Sequence, residues 1–198
     1  MRPAAALHLL APLLEKPYFT AREARELGVH PSALNHYVKT GRIKRISRGV
    51  YQGSEFQNPS AFRFEDLVEA VYSVKEGVVC LISALAVYEL TEEIPRQHWI
   101  AIRHDTSVKV RPGVNILRYR DLSLGKTKIL LEGVKVPIFD RERTIIDAFR
   151  LLSRETAIKA LKAAIAQKGK NRIDLVKLQE YAKKLRFNIA PYLMSVTA

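Results

Sequence analysis

A chain of 198 residues, 47% of them hydrophobic, can bury a core and is long enough for one large domain or two small ones. Its net charge of +13 makes a polyanion the expected partner, with nucleic acid ahead of a membrane surface. No apolar run approaches the roughly 20 residues that cross a bilayer, so the composition excludes a membrane-spanning protein, and no membrane partner is expected.

The start of the chain superficially resembles a secretory signal, because an apolar stretch follows Arg2. Pro3 and Pro12 interrupt that stretch, Glu15 follows it directly, and no small-x-small cleavage motif precedes the next helical pattern. We therefore expect a cytoplasmic protein. The one cysteine, Cys80, has apolar neighbours on both sides and is expected to be a buried packing thiol.

Residues 17–54 carry the pattern of a winged helix-turn-helix. Thr20 and Glu23 have the spacing of a capping box, which starts a helix, and Gly28 is placed to end it. Pro31 suits the first turn of a second helix, which Gly41 ends. Two short helices joined by a tight turn are typical of a helix-turn-helix, whose second helix enters the major groove.

A two-stranded hairpin is predicted after these helices. In segment 43–51, β-branched and aromatic residues flank an Arg-Gly turn, and we interpret this hairpin as the wing. The polar stretch 53–60 is predicted to be a linker. The sequence thus predicts a winged helix-turn-helix DNA-binding domain at 1–58 and a second domain at 59–198.

The second domain is predicted to be mixed α/β and to end in helices, which makes the fold class α+β. Apolar positions at helical spacing predict helices over 64–71 and 82–90. Short apolar runs between turn signals predict strands at Trp99–Ile102, Val114–Leu117, Ile129–Leu131 and Val134–Val136, with a turn at Glu132-Gly133 between the last two. The final helices are predicted at Thr144–Leu152, Thr156–Gln167 and Asp174–Leu185.

The sharpest functional signal is a basic window without acidic residues. From Leu27 to Ser54 there is no Asp or Glu, while five Lys and Arg residues fall on the end of the second helix and on the wing. A charge cluster is often only a solvated surface, but this one lies on the two elements that meet a duplex in this architecture. The predicted DNA-binding residues are Ser32, Asn35, His36, Lys39, Arg42, Lys44, Arg45 and Arg48.

Base contacts and phosphate contacts are assigned to different members of that set. Asn35 can pair with an adenine edge through two hydrogen bonds and is the predicted base-reading residue, while Ser32 can donate to a base or a phosphate. The cationic residues are predicted to hold phosphates, and Arg48 at the wing tip also suits a minor groove. His36 is equally well explained as an ordinary surface histidine.

No catalytic constellation, metal site or cofactor site is visible, so we predict that the chain is not an enzyme. His98 and His104 flank a predicted strand but lie too far apart along it to bind one metal ion. A nuclease built on Asp105, Asp121 or Asp140 stays open as an alternative, since such enzymes need only two carboxylates and a metal. A stand-alone transcription factor is the other alternative.

Three segments of the chain resemble the AbiEi-type antitoxin and transcriptional regulator family. They are residues 82–95 (ISALAVYELTEEIP), residues 139–150 (FDRERTIIDAFR) and the wing residues 41–51 (GRIKRISRGVY). Their order and spacing carry the resemblance, which covers nearly the whole chain. The chain departs from the family in its short apolar start, which is interpreted as an added first helix.

The resemblance implies a regulator of a type IV toxin–antitoxin system for phage defence. Such a protein binds double-stranded DNA at inverted repeats in its own promoter, represses its own operon and counters a cognate nucleotidyltransferase toxin without a stable complex. Its second domain carries the antitoxicity. For that role the sequence offers one polar surface made of Asp140, Arg143, Asp147 and Arg150.

A purely structural role is the favoured explanation of this segment, and nothing in the sequence strongly favours the polar surface. Asp140 can cap the following helix, and Arg143 can pair with Asp147 one turn along it. A similar choice concerns the basic C-terminal half, where residues 65–198 hold 23 Lys and Arg against 16 Asp and Glu. Those cations are either solvated helix faces or a second contact with bent operator DNA or RNA.

Overall fold

The computed structural model describes residues 7–47, 49–56, 64–108, 112–131 and 134–197. The chain divides into two compact units: Met1–Lys75 with Leu130–Lys135, and Glu76–Ile129 with Val136–Ala198. The predicted domain boundary at 58/59 lies outside the described residues and stays a prediction. None of the helices in the described ranges is long and apolar enough to span a membrane.

The first unit contains four helices and a small sheet among its described residues. A 3-10 turn at His8–Leu10 precedes the helices α1 (Ala11–Leu14), α2 (Ala21–Glu26), α3 (Pro31–Lys39) and α4 (Glu65–Ser73). The strands are β1 (Phe19–Thr20), β2 (Ile43–Ser47) and β3 (Val50–Gly53). They form an antiparallel sheet in the order β1-β3-β2, in which β2 and β3 are the predicted wing.

The core of this unit includes the apolar start of the chain. Leu10 and Leu13, from the 3-10 turn and α1, are buried together with Phe19, Leu34 and Ile43. The interpretation of this segment as a first helix therefore agrees with the structure. A helix of only four residues has little stability of its own, so it is held by packing of its leucines.

Gly53 corrects one prediction, since it belongs to β3 and not to a linker. A Cβ atom built on Gly53 would lie 2.9 Å from the carbonyl oxygen of Leu14. Only glycine lets β3 approach the end of α1 this closely. Much of the remaining predicted linker, residues 57–60, lies outside the described residues.

The second unit has an α+β arrangement. The larger sheet of the chain consists of β4 (Val78–Val79), β5 (His98–Arg103), β6 (Val114–Tyr119), β7 (Lys126–Leu131) and β8 (Val134–Phe139), in the order β6-β5-β4-β8-β7. The strand ends at 130–131 and 134–135 are counted with the first unit, and the rest of this sheet belongs to the second. β5 runs parallel to β6, β4 runs parallel to β8, and β4 and β5 are antiparallel. The helices are α5 (Leu81–Val87), α6 (Arg141–Leu151), α7 (Arg154–Ala166), α8 (Leu175–Lys184) and α9 (Ala190–Thr197).

The fold class predicted from the sequence is confirmed, with three corrections to its elements. The central strand β4 and the last helix α9 were not predicted. Helix α6 begins at Arg141 rather than Thr144, because Asp140 caps it. The predicted Glu132-Gly133 turn lies outside the described residues. Seven of the eleven residues of α6 are buried, and the helix packs against α5, α7 and α8.

Candidate DNA-binding interface

The helix α2 begins with the capping box that the sequence predicts. The Thr20 side chain accepts a hydrogen bond from the Glu23 amide at 3.2 Å, and the Glu23 carboxylate accepts one from the Thr20 amide at 2.7 Å. Lys16 pairs with the same carboxylate at 3.1 Å. Partial burial raises the pKa of Glu23, but these hydrogen bonds outweigh it and hold the pKa below its usual value. The cap thus holds Glu23 in its charged form.

The turn between α2 and α3 sets the direction of the second helix. Gly28 has φ +82°, a left-handed conformation that ends α2 as predicted. Val29 is buried, and its amide donates to the carbonyl of Ala24 at 2.9 Å. His30 then caps α3, with Pro31 in its first turn.

Helix α3 presents a polar face opposite its core face. Leu34 and Tyr37 are buried, and Val38 is half-buried, as predicted. The residues predicted to face DNA from this helix are all exposed: Ser32, Asn35, His36 and Lys39. The helical spacing therefore separates the two faces correctly, while contact of the polar face with DNA stays a prediction.

The wing carries the second part of the predicted interface. Ile43 pairs with Gly53 and is buried, whereas Arg42, Lys44 and Arg45 are exposed. The register between the strands shifts between Arg45 and Ser47, which marks a bulge near the tip. Arg48 lies outside the described residues, so its predicted position at the tip stays a prediction.

Four polar side chains of this face have no partner within the described part of the chain. The side chains of Asn35, Lys39, Arg42 and Lys44 make no hydrogen bond or ion pair with any described residue. The nearest preceding acids in sequence, Glu23 and Glu26, are paired with Lys16 and Arg22. Because window 27–54 has no acid of its own, the face is a positive surface with free hydrogen-bond donors, suited to phosphates.

Two of the four residues assigned to antitoxicity are buried. Arg143 is 2% exposed and Asp147 0% exposed, so they cannot belong to one polar surface, and that part of the prediction is wrong. Arg150 is partly exposed and pairs with Asp147 at 3.0 Å. Asp140 caps α6 by accepting from the Arg143 amide at 2.9 Å. A role of these residues in antitoxicity stays a prediction, but the two buried ones could act only indirectly.

Arg143 is the centre of an internal network. Its Nε donates to Asp147 Oδ2 at 2.8 Å, and its Nη1 donates to the Leu124 carbonyl at 2.9 Å. The guanidinium also lies 4.6 Å from the centre of the Phe139 ring. Burial raises the pKa of Asp147, against the lowering effect of Arg143 and Arg150. These contacts satisfy a buried charge, which is the structural role that the sequence left open.

A second ionic group connects α8 to the start of α6. Lys177 contacts Asp140 at 2.9 Å and Glu142 at 3.2 Å, and the Tyr181 hydroxyl donates to Asp140 at 3.1 Å. Burial lowers the pKa of Lys177, but the two carboxylates outweigh it and raise that pKa above its usual range. Sequence reasoning missed Lys177 and Glu142 here because their partners are more than 30 positions apart.

The carboxylates of the nuclease alternative are placed on separate local structures. Asp105 pairs with Arg103 at 2.7 Å, Asp121 accepts from the Ser123 amide at 2.7 Å, and Asp140 is the α6 cap. Among the described residues, no group of three or more His, Cys, Asp or Glu side chains could hold a metal ion. Cys80 is buried as expected, and burial raises its thiol pKa.

A segment of the first unit matches a known protein family. Residues 9–52 match the sequence profile of a family described as transcriptional regulator, AbiEi antitoxin. A comparison with curated proteins gives no match. The matched segment contains α1, α2, α3, β2 and most of β3, and with them the whole predicted interface. Segments 82–95 and 139–150 lie outside it. The resemblance to the AbiEi antitoxin family of transcriptional regulators is therefore confirmed over residues 9–52.

Proposed function

We propose that this protein is a cytoplasmic transcriptional autoregulator and the antitoxin of a type IV toxin–antitoxin system. The observation that carries the proposal is the exposed, acid-free face of α3 and β2, which lies inside the segment that matches the regulator family. An exposed, acid-free positive face on a helix-turn-helix favours duplex DNA over other polyanions, since the second helix of this motif is the element that enters the major groove.

The dimensions of α3 support insertion into the major groove. An α-helix with its side chains is about 10–12 Å across, which matches the groove width of about 12 Å, and the nine residues of α3 extend about 14 Å along its axis. In this arrangement Asn35 reads an adenine edge. Lys39, Arg42, Lys44 and Arg45 neutralise phosphates on either side, and Arg48 extends the wing contact.

The operator is proposed to be an inverted repeat in the protein's own promoter, so that binding represses the operon. The second unit is proposed to counter a cognate nucleotidyltransferase toxin without a stable complex. This part of the proposal is supported by the family description of residues 9–52 and by the resemblance of segments 82–95 and 139–150.

The deciding experiment is binding of the full chain to its own upstream DNA and to a scrambled duplex, at physiological salt. We expect a preference of at least about 1,000-fold for the upstream duplex, the lower end of the range for specific regulators. Equal, weak binding to both duplexes would contradict autoregulation. Cleavage of either duplex on addition of Mg²⁺ would instead support the nuclease alternative.

The antitoxin role needs its own measurement. Co-expression of the chain with a neighbouring nucleotidyltransferase gene is expected to restore growth that the toxin alone arrests, and affinity capture of the toxin is expected to retain no antitoxin. Persistent growth arrest would reject the antitoxin role while leaving DNA binding standing, and the chain would then be a stand-alone transcription factor.

A further inference from the structure

The start of α3 has an unusual capping residue. Helix N-caps are most often Ser, Thr, Asp or Asn, but here the cap is His30. Its Nδ1 lies 3.3 Å from the amide nitrogen of Ser32 and 2.8 Å from the Ser32 hydroxyl oxygen. Ser32 is also one of the residues predicted to face DNA, so the cap and the interface share a side chain.

These two contacts together determine where the protons lie. A backbone amide can only donate, so Nδ1 of His30 must accept and carries no proton. The ring proton of the neutral imidazole is then on Nε2. Since Nδ1 has no proton to give, the 2.8 Å contact requires the Ser32 hydroxyl to be the donor.

We propose that His30 is a positioning residue that makes the Ser32 hydroxyl a hydrogen-bond acceptor toward DNA. The inference rests on the proposed function. With its proton directed at His30, Ser32 offers only lone pairs to the duplex, so its partner must be a donor. In the major groove the donors are the amino groups of adenine and cytosine, whereas phosphate oxygens only accept. Ser32 then reads a base and does not hold a phosphate, which revises the role predicted from the sequence.

Protonation of His30 reverses this polarity. A proton on Nδ1 cannot coexist with the bond from the Ser32 amide, so the cap opens and Nδ1 donates to the Ser32 oxygen instead. The Ser32 hydroxyl then no longer donates to His30, and it can donate a hydrogen bond to a phosphate or to a base acceptor.

Other charged groups close to the His30 ring influence whether it takes up a proton. Of the described charged side chains, Arg25 on α2 lines the same recess as His30, together with Gly28, Val29 and Pro31. The first turn of α3 holds no acidic residue. His36 is a second histidine on the exposed face of α3, so any measurement at varied pH needs a variant that removes it.

The first test uses the full chain without DNA. Long-range proton–nitrogen NMR correlations distinguish the two neutral tautomers of an imidazole, and the variant His30→Asn identifies the signals of His30 by their loss. We expect the Nε2-protonated form at pH 8. A His30 ring protonated on Nδ1 at that pH overturns the proposal, whatever the protein binds.

The second test measures the ratio of affinities for the upstream and the scrambled duplex between pH 8 and pH 5.5. A ratio cancels the general gain in phosphate attraction that histidine protonation brings. In the wild type we expect this preference to fall about 10-fold as His30 takes up its proton, since the Ser32 hydroxyl then turns from an acceptor into a donor that faces the donor of the base. His30→Asn keeps a capping oxygen and cannot titrate in this range, so its preference is expected to stay near that of the wild type at pH 8 and to be independent of pH.

Two further variants show which group is responsible. Ser32→Ala is expected to have a reduced and pH-independent preference, and His36→Asn is expected to keep the pH dependence. A pH dependence that persists in Ser32→Ala, or that disappears in His36→Asn, overturns the proposal. If the wild type shows no preference at pH 8, the proposed function fails and the assigned role on DNA fails with it. The NMR result still decides the hydrogen-bond polarity separately.

Discussion

The two units use the same residue types in opposite ways. In the first, Lys39 and Lys44 are exposed and make no ion pair with a described residue. In the second, Arg143 is buried and paired with Asp147, and the half-buried Lys177 touches two carboxylates. A charge in water costs little to leave unpaired, whereas a buried charge is tolerated only when it is matched. Burial together with pairing therefore marks Arg143 as a charge that holds the fold, whereas Lys39 and Lys44 are accessible to a partner.

Removal of Arg143 is the strongest test of this contrast. In Arg143→Met the carboxylate of Asp147 loses its buried partner, and we expect a loss of about 3–5 kcal/mol in the free energy of unfolding. Urea denaturation followed by fluorescence reports on this unit, because Trp99, the one tryptophan of the chain, lies in β5. The double variant Arg143→Met/Asp147→Leu removes both charges and is expected to recover much of the loss. A loss below about 1 kcal/mol in the single variant would contradict a matched buried pair.

Substitution of Asn35 tests the exposed face without touching the fold. Asn35→Ala is expected to reduce the preference for the upstream duplex by about 1–3 kcal/mol, since a paired contact to one base is lost. Its unfolding free energy should stay within about 0.5 kcal/mol of the wild type, because the side chain is exposed. Equal losses on the upstream and the scrambled duplex would remove Asn35 as a base-reading residue.

Substitution of Lys44 is expected to have a smaller and less selective effect. Lys44→Ala should weaken binding to both duplexes alike and lower the slope of log affinity against log salt by about 0.9, the value for one phosphate contact. Lys159→Ala is a matched control, because Lys159 is also exposed but is paired with Glu155 at 2.6 Å. An unchanged slope in Lys44→Ala would show that this lysine is only solvated. A reduced slope in the control would support a second DNA contact in the C-terminal half.

The smallest expected effect concerns the capping box of α2. The pKa of Glu23 is lower in the folded protein than its ordinary value of 4.5, so its contribution to stability is present above that value and is lost as the pH falls through the folded pKa. Because the side chain is partly exposed, we expect less than about 1 kcal/mol between pH 6 and pH 3.5. Amide hydrogen exchange in α2 measures this change. Glu23→Gln keeps the hydrogen-bond acceptor and should lack this part of the pH dependence; an identical profile in the variant would assign it elsewhere.

Local signals explain what could be predicted from the sequence. Three features of the first unit depend only on residues within one or two helical turns: the Thr20–Glu23 capping box, Pro31, and the helical spacing of Leu34 and Tyr37. Neighbouring residues are therefore enough to predict them. The short strand β4 is different, because two valines gain strand structure only from β5 and β8 on either side.

The same difference between local and long-range signals applies to the functional residues. The exposed face of α3 follows from helical spacing alone. The burial of Arg143 could not be predicted, because a pair spaced by four residues looks the same on a surface helix as on α6, which other helices cover. The cap formed by His30 was missed since histidine is not a common capping residue, and its role depends on the rotamer.

The close approach of Gly53 to Leu14 has a consequence for genetics. Any side chain at position 53 pushes the end of β3 away from α1, and with it the wing that β3 shares with β2. A selection for mutants that no longer repress their promoter would then recover changes at this buried glycine as well as on the exposed basic face.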